Sequence, residues 1–189
     1  GNTFEEEKMD FKFITNGLFG YIQYDGVSYF EDITINNPQA SSIPLIHYAV
    51  YKNMIVVDHF KNELYIFEHY LEGGEENSGI PKIEMILNNK NIPSYSFSLD
   101  GKESSNYTDN EFLDILANGT DHWFRADVFQ IVLSRSFSTG FKGDEFNVYR
   151  ALRSINPSPY LFYFDYGSYK IFGSSPEAQI VVKGKKATI

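Results

Sequence analysis

Asn156-Pro157-Ser158-Pro159-Tyr160 and Gly173-Ser174-Ser175-Pro176-Glu177 bracket one aromatic run, Leu161-Phe162-Tyr163-Phe164-Asp165-Tyr166-Gly167-Ser168-Tyr169-Lys170-Ile171-Phe172. Aromatic and β-branched residues on both sides of a glycine read as two antiparallel strands joined by a turn. Each end of the pair is stiffened by proline, which fixes φ and removes an amide donor. Polar groups therefore collect at the strand ends, where a small molecule can be held. Glu177 is either a solvated turn carboxylate or a general acid or base placed by Pro176 beside two serine hydroxyls. Asn156 to Tyr160 is either a helix stop and strand start or a ligand-contacting corner with exposed carbonyls.

Upstream of this hairpin, Asp144 can cap a helix whose apolar residues Phe146, Tyr149, Leu152 and Ile155 recur at helical spacing. Asn156-Pro157 ends it. Residues 128–137 read as a strand, with Gln130, Val132 and Ser134 on one face and Ile131, Leu133 and Arg135 on the other. Gln130, a polar group in an apolar strand, is either a core amide satisfied by backbone or a cavity-facing amide that positions a substrate. Thr108-Asp109-Asn110-Glu111 is a capping-box pattern that opens a helix running towards Phe124. Pro81 to Asn89 predicts a short helix, and Tyr95 to Leu99 a strand. Before these, strands are predicted at 11–24, Ile43 to Tyr51, Met54 to Asp58 and Leu64 to Tyr70, arranged as an antiparallel meander. A final strand is expected near 178–183. The fold class that follows is α+β, an antiparallel β-rich chain with inserted helices. The expected organisation is a β-rich part over 1–72, a linker and short helix over 73–107, and a second part over 108–189. Gly73 to Gly79 is the clearest linker segment.

The bulk numbers narrow the function. The chain has 189 residues, 42% of them apolar and 17% aromatic, with a formal net charge of −9. That composition supports a folded core. An acidic surface repels phosphates, so nucleic acid and anionic membrane are not expected partners. With no cysteine, disulfides and thiol chemistry are excluded, which fits a reducing cytoplasm. No apolar run is long enough to span a bilayer, and no signal-peptide pattern opens the sequence. The four histidines, His47, His59, His69 and His122, show no metal-ligand spacing. No phosphate-cradling glycine loop and no nucleophile elbow occur. Gly184 to Ile189 reads as a turn and the first residues of another strand, so the sequence is expected to be a piece of a longer protein.

Taken in order, the motifs resemble those of the chorismate-utilising enzymes, most closely the anthranilate synthase component I branch. Gly17 to Asp25 resembles the family's glycine-tyrosine strand, with Phe30-Glu31 after it. Asp58-His59 resembles its Phe-Asp-His segment. Arg125 to Arg135, Ala151-Leu152-Arg153, Asn156 to Tyr160, Phe164-Asp165 and Gly173 to Glu177 follow in register. Two positions depart: Ala126 stands where the family usually has Gly, and Leu161 where many members have Met. Both swaps are small and apolar, and little cost is expected. The resemblance implies the anthranilate-synthase-component-I fold and a reaction of chorismate with ammonia that gives anthranilate and pyruvate, the first step of tryptophan biosynthesis.

It also implies roles for particular residues. Glu177 becomes the acid near the departing C4 hydroxyl. Gln130 takes the place where water-adding relatives carry a Lys base, and Ser174 and Ser175 become substrate contacts. Pro159, Tyr160 and Leu161 match contacts to tryptophan, the feedback inhibitor. Mg2+ is implied as cofactor, with ligands outside this sequence. A glutamine amidotransferase subunit, anthranilate synthase component II, is implied as the ammonia source. The 189 residues alone are expected to be inactive. Aminodeoxychorismate synthase component I is the nearest alternative, and a non-catalytic amino-acid-sensing β-rich module is another. All of this places the Glu177 carboxyl and the Gln130 amide at the rim of one sheet, facing one hollow.

Overall fold

The computed structural model describes residues 11, 13–36, 42–70 and 77–189. Two compact units divide the chain, one comprising Gly1–Ile92 with Tyr166–Tyr169, the other Pro93–Asp165 with Lys170–Ile189. The division falls inside the stretch read from sequence as linker and short helix; residues 73–76 of that stretch lie outside the described residues.

In the first unit, β1 (Phe19–Ile22) pairs antiparallel with β2 (Ile46–Ala49), and Gly20 stands opposite Tyr48. A β-carbon on Gly20 would lie 1.9 Å from the His47 carbonyl oxygen, so this ladder requires glycine there. The strand expected over 11–24 is shorter than its pattern, because Tyr24–Tyr29 turns into a 3-10 helix. β3 (Asn53–Asp58) and β4 (Glu63–Glu68) form a second hairpin in full register. Its turn is built by Asp58, whose Oδ1 accepts from the amides of Phe60 (2.9 Å) and Lys61 (3.1 Å), and by Asn62 at φ 57°. The expected continuous meander is instead two separate ladders among the described residues. Phe11 and Phe13 pack against Tyr65 and Phe67 of β4, with ring centroids 5.2 to 6.0 Å apart. A second aromatic group joins Tyr21 and His47 to Tyr166 and Tyr169. His47 stacks on Tyr166 at 4.1 Å, and the Tyr169 hydroxyl lies 2.6 Å from His47 Nδ1 and 3.0 Å from the Tyr21 hydroxyl. Burial, then the bond to Tyr169, pushes the Tyr21 phenol up to about 12.

Helix α1 (Ile80–Asn88) carries proline in its first turn, as the sequence indicated. Its start is pinned by Glu68. That side chain is 1% exposed and 3.3 Å from Lys52 Nζ. It accepts from the Gly79 amide, the Ser78 hydroxyl and the Tyr70 hydroxyl, each at 2.7 Å. The Gly79 amide first, then the two hydroxyls, hold its carboxyl down at about 2.

The second unit begins with β5 (Phe97–Leu99), β6 (Ser104–Ser105) and helix α2 (Asp109–Phe124). The capping box is present: Thr108 Oγ1 accepts from the Glu111 amide at 3.3 Å, and Glu111 Oε2 accepts from the Thr108 amide at 2.7 Å. Next come β7 (Phe137–Ser138), paired with β6, and β8 (Phe141–Gly143), paired with β5. Helix α3 (Phe146–Ile155) follows. The Asp144 carboxylate accepts from the Phe146 amide at 3.0 Å, the capping role assigned to it from sequence. β9 (Tyr160–Asp165) and β10 (Lys170–Ser175) form the aromatic hairpin, and β11 (Val181–Lys183) pairs with β12 (Lys186–Thr188). These short antiparallel ladders with three helices make an α+β chain. No helix among the described residues is long and apolar enough to cross a membrane.

A further expectation fails. Residues 128–136 form no strand; only Phe137–Ser138 pairs. A strand exists only where a neighbouring edge closes its hydrogen bonds, and Ser104–Ser105 supplies that edge over two residues alone. The alternation holds only over the second half: Leu133 and Arg135 are half-buried and Val132 and Ser134 exposed, whereas Gln130 and Ile131 are both exposed.

Candidate functional site

The candidate site is the open end of the β9–β10 hairpin. Its ladder pairs Tyr160 with Ser175 and Leu161 with Ser174, so the two proline corners are brought to the same end. Helix α3 is packed against the hairpin by a cluster of rings. Phe146 meets Tyr163 edge-on at 5.0 Å, Tyr149 lies 5.4 Å from Tyr163 and 6.2 Å from Phe172, and Tyr163 stacks on Phe172 across the ladder at 5.7 Å. Each such pair adds about 0.5–1.5 kcal/mol beyond area burial. Gly173, opposite Phe162, leaves room for that ring: a β-carbon there would lie 2.7 Å from Phe162 Cζ.

Where α3 stops, the corners are tied together. The Asn156 amide closes the helix on the Leu152 carbonyl at 2.8 Å. The Asn156 carbonyl then accepts from the Ser174 hydroxyl at 2.6 Å. Asn156 Oδ1 accepts from the Ser158 hydroxyl at 3.3 Å. Across the ladder, the Ser175 hydroxyl donates to the Glu177 carbonyl at 3.1 Å and accepts from the Glu177 amide at 3.4 Å. Tyr160 and Leu161 thus stand opposite Ser175 and Ser174, with Pro159 one residue before the first strand and Glu177 two residues after the second. Pro159, Tyr160 and Glu177 are exposed, and Leu161 is half-covered.

At the other end of the hairpin, Lys170 Nζ lies 3.0 Å from Glu145 Oε1 and 3.5 Å from Asp165 Oδ1. The Glu145 carboxyl is held below its usual range by its own backbone amide first, then by Lys170. This charge cluster fixes α3's first turn against the ladder and leaves the corner end free of it.

Gln130 lies elsewhere in the unit. It sits exposed on the unpaired 128–136 segment, so it is not on the rim of a sheet, and no hydrogen bond joins it to Glu177. The segment is docked on α2 through its other face. Leu133 Cδ1 lies 2.8 Å from where a β-carbon of Gly119 would be, so the buried Gly119 is the notch that receives it. Arg135 stacks over Phe137 at 4.7 Å, donates to Ser105 Oγ at 2.8 Å and pairs with Asp109 at 2.7 Å. Sequence reading did not single out Gly119. A lone glycine inside a helical pattern was its only signal. Nor did it find the Ser174–Asn156 bond, which becomes visible only once the ladder register is known.

Among the described residues no cluster of three or more His, Asp or Glu can hold a metal ion.

Comparison with known proteins places this geometry. The model of the family described as "chorismate binding enzyme" matches residues 2–189. Anthranilate synthase component 1 of Geobacillus stearothermophilus is 30% identical over 196 residues, with 93% of this chain and 39% of that protein covered. The same-named protein of Saccharolobus solfataricus is 33% identical over 162 residues, covering 85% of this chain and 34% of that protein. Among solved structures, anthranilate synthase component I from Streptococcus pneumoniae matches with a TM-score of 0.74 at 30% identity, over 94% of this chain and 42% of that one. The chain spans between about one third and two fifths of the length of these relatives.

Proposed function

Since this chain belongs to the family of chorismate binding enzymes, we propose that it is the part of an anthranilate synthase component I that carries the proton donor for amination of chorismate. The observation that carries this reading is the corner end of the aromatic hairpin. There Ser174 bonds to Asn156 at 2.6 Å, and Ser174 and Ser175 stand opposite Leu161 and Tyr160, with Glu177 two residues beyond Ser175. In the proposed reaction the nitrogen of ammonia bonds to ring C2, the two ring double bonds shift from C1=C2 to C1=C6 and from C5=C6 to C4=C5, and the C4–O bond breaks. Glu177 gives its proton to the departing hydroxyl, which leaves as water. The added nitrogen then releases its extra proton, which restores Glu177. Loss of the C2 hydrogen as a proton, with departure of the enolpyruvyl group as pyruvate, gives the aromatic ring.

Ammonia is already a nucleophile, so a neutral amide suffices at Gln130, where attacking water would require a base. This reading requires the 128–136 segment and the hairpin corner to face one cavity. Tryptophan acts in this reading as an inhibitor at Pro159, Tyr160 and Leu161. The ammonia comes from a glutamine amidotransferase partner. Mg2+, when bound, would neutralise a substrate carboxylate.

The test is product formation by the full-length enzyme from chorismate and ammonium, followed by anthranilate fluorescence and chromatography. Glu177→Gln is expected to lower kcat by about 10²–10⁴, the usual contribution of a general acid. Gln130→Lys is expected to admit water and divert product to isochorismate. A para-aminated product would transfer the reading to aminodeoxychorismate synthesis. Tryptophan binding without chorismate binding would reduce the chain to a sensor.

A further inference from the structure

A serine hydroxyl has one proton to donate. Ser174 donates its proton to the Asn156 carbonyl at 2.6 Å, and Ser175 donates its own to the Glu177 carbonyl at 3.1 Å. Ser175 also accepts the Glu177 amide at 3.4 Å. What each hydroxyl has left is lone pairs. A carboxylate-bearing substrate needs donors, and an oxygen that can only accept repels it.

We infer that Ser174 and Ser175 are positioning residues that aim Glu177, and not contacts that bind the substrate's carboxylates. The inference rests on the reading of Glu177 as the proton donor. It goes further by assigning the hydroxyls a partner inside the protein. The support is built from both sides. Ser174 is held in the ladder opposite Leu161, and its hydroxyl ties that strand end to Asn156, the residue that caps α3. The helix is itself anchored to the same strands through Tyr149, Tyr163 and Phe172. Ser175, opposite Tyr160, closes a small side-chain turn over Pro176, whose ring fixes φ. The Glu177 backbone is held by Ser175 at both its amide and its carbonyl.

The chemistry separates positioning from binding. Protonation of the C4 oxygen belongs to the amination step. Loss of pyruvate from the aminated intermediate, which still carries its enolpyruvyl group, needs no acid at that oxygen. In the full-length enzyme, Ser174→Ala and Ser175→Ala are expected to lower kcat for chorismate plus ammonium by roughly tenfold to a hundredfold, the scale of a misplaced catalytic group. KM for chorismate and the rate of pyruvate release from the supplied intermediate should both stay within about twofold, because uniform binding is untouched. Ser174→Thr and Ser175→Thr keep the hydroxyl and are expected to restore turnover, which also answers for variants that fold poorly. A rise in KM with kcat unchanged would make the hydroxyls substrate donors and overturn the inference. An equal fall in both half-reactions would reduce them to fold stability and overturn it too. Glu177→Gln run alongside separates the levels. If it aminates chorismate at the normal rate, the acid reading itself fails. If it is inactive while the serine variants change KM alone, only the positioning role fails.

Discussion

Ala126 stands at φ 59°, in the left-handed region that a β-carbon disfavours. The helix end explains why. The Asp127 amide bonds to the His122 carbonyl at 3.1 Å, and the Ala126 amide to the Trp123 carbonyl at 3.0 Å, a Schellman closure of α2 that puts Ala126 at the position glycine normally fills. The sequence reading treated alanine here as a small apolar swap of little cost. The dihedral shows a backbone cost instead. Ala126→Gly is expected to stabilise the chain by about 0.5–1.5 kcal/mol, read as a raised urea midpoint with unchanged slope. Glu68 makes a second prediction at this scale. Its carboxyl sits near 2 in the folded chain against an ordinary value of 4.5. A depressed carboxylate contributes stability that is full above the unfolded value and lost as pH falls through the folded one. The unfolding midpoint is therefore expected to fall between about pH 4.5 and 2, and Glu68→Gln should lower it at neutral pH and flatten that slope.

Among the elements, the glycines of two ladders differ in what they touch. At Gly20 the obstacle to a side chain is backbone, the His47 carbonyl at 1.9 Å and Tyr48 Cα at 2.7 Å; at Gly173 it is the far edge of the Phe162 ring. Backbone cannot step aside and a ring can. Gly20→Ala is expected to cost more than Gly173→Ala, by about 1–3 kcal/mol in denaturant titrations, because overpacking against a fixed chain forces the strands apart. Elements with local signals were legible in the sequence: the Thr108–Glu111 box, the Asp144 cap, the Asn156-Pro157 stop and the Gly167 turn each act within a few residues. Pairings across long separations were not. Nothing in Phe97–Leu99 names Phe141–Gly143 as its partner, and nothing in 128–136 says that its edge stays unpaired beside a two-residue ladder. The corner motifs of the site were readable as residue types, but their meeting depends on the β9–β10 register. The expected sheet shared by Gln130 and Glu177 failed because alternation fixes which face a residue takes, not whether a neighbouring strand exists.

For the molecule as a whole, the described residues contain no fully buried apolar side chain, while Phe129, Val132, Phe124 and Ile155 are 106%, 79%, 75% and 83% exposed. Half-buried aromatic clusters do the packing. The 189-residue chain by itself is therefore expected to bind a hydrophobic dye such as anilinonaphthalene sulfonate under native conditions, and to unfold over a broad range of urea. Replacing Phe129 and Val132 by serine should reduce the dye signal without lowering the urea midpoint, since neither ring nor branch is covered. A dye-silent chain with a sharp transition would contradict this. The seat of Leu133 in the Gly119 notch carries a consequence for descent. Between the end of α2 and that leucine the number of links is metered, like teeth between two meshed gears. Lineages are free to exchange letters along it, but gaining or shedding a single residue would draw Leu133 out of the Gly119 notch. Alignments of related chains should therefore show substitutions there and no gaps.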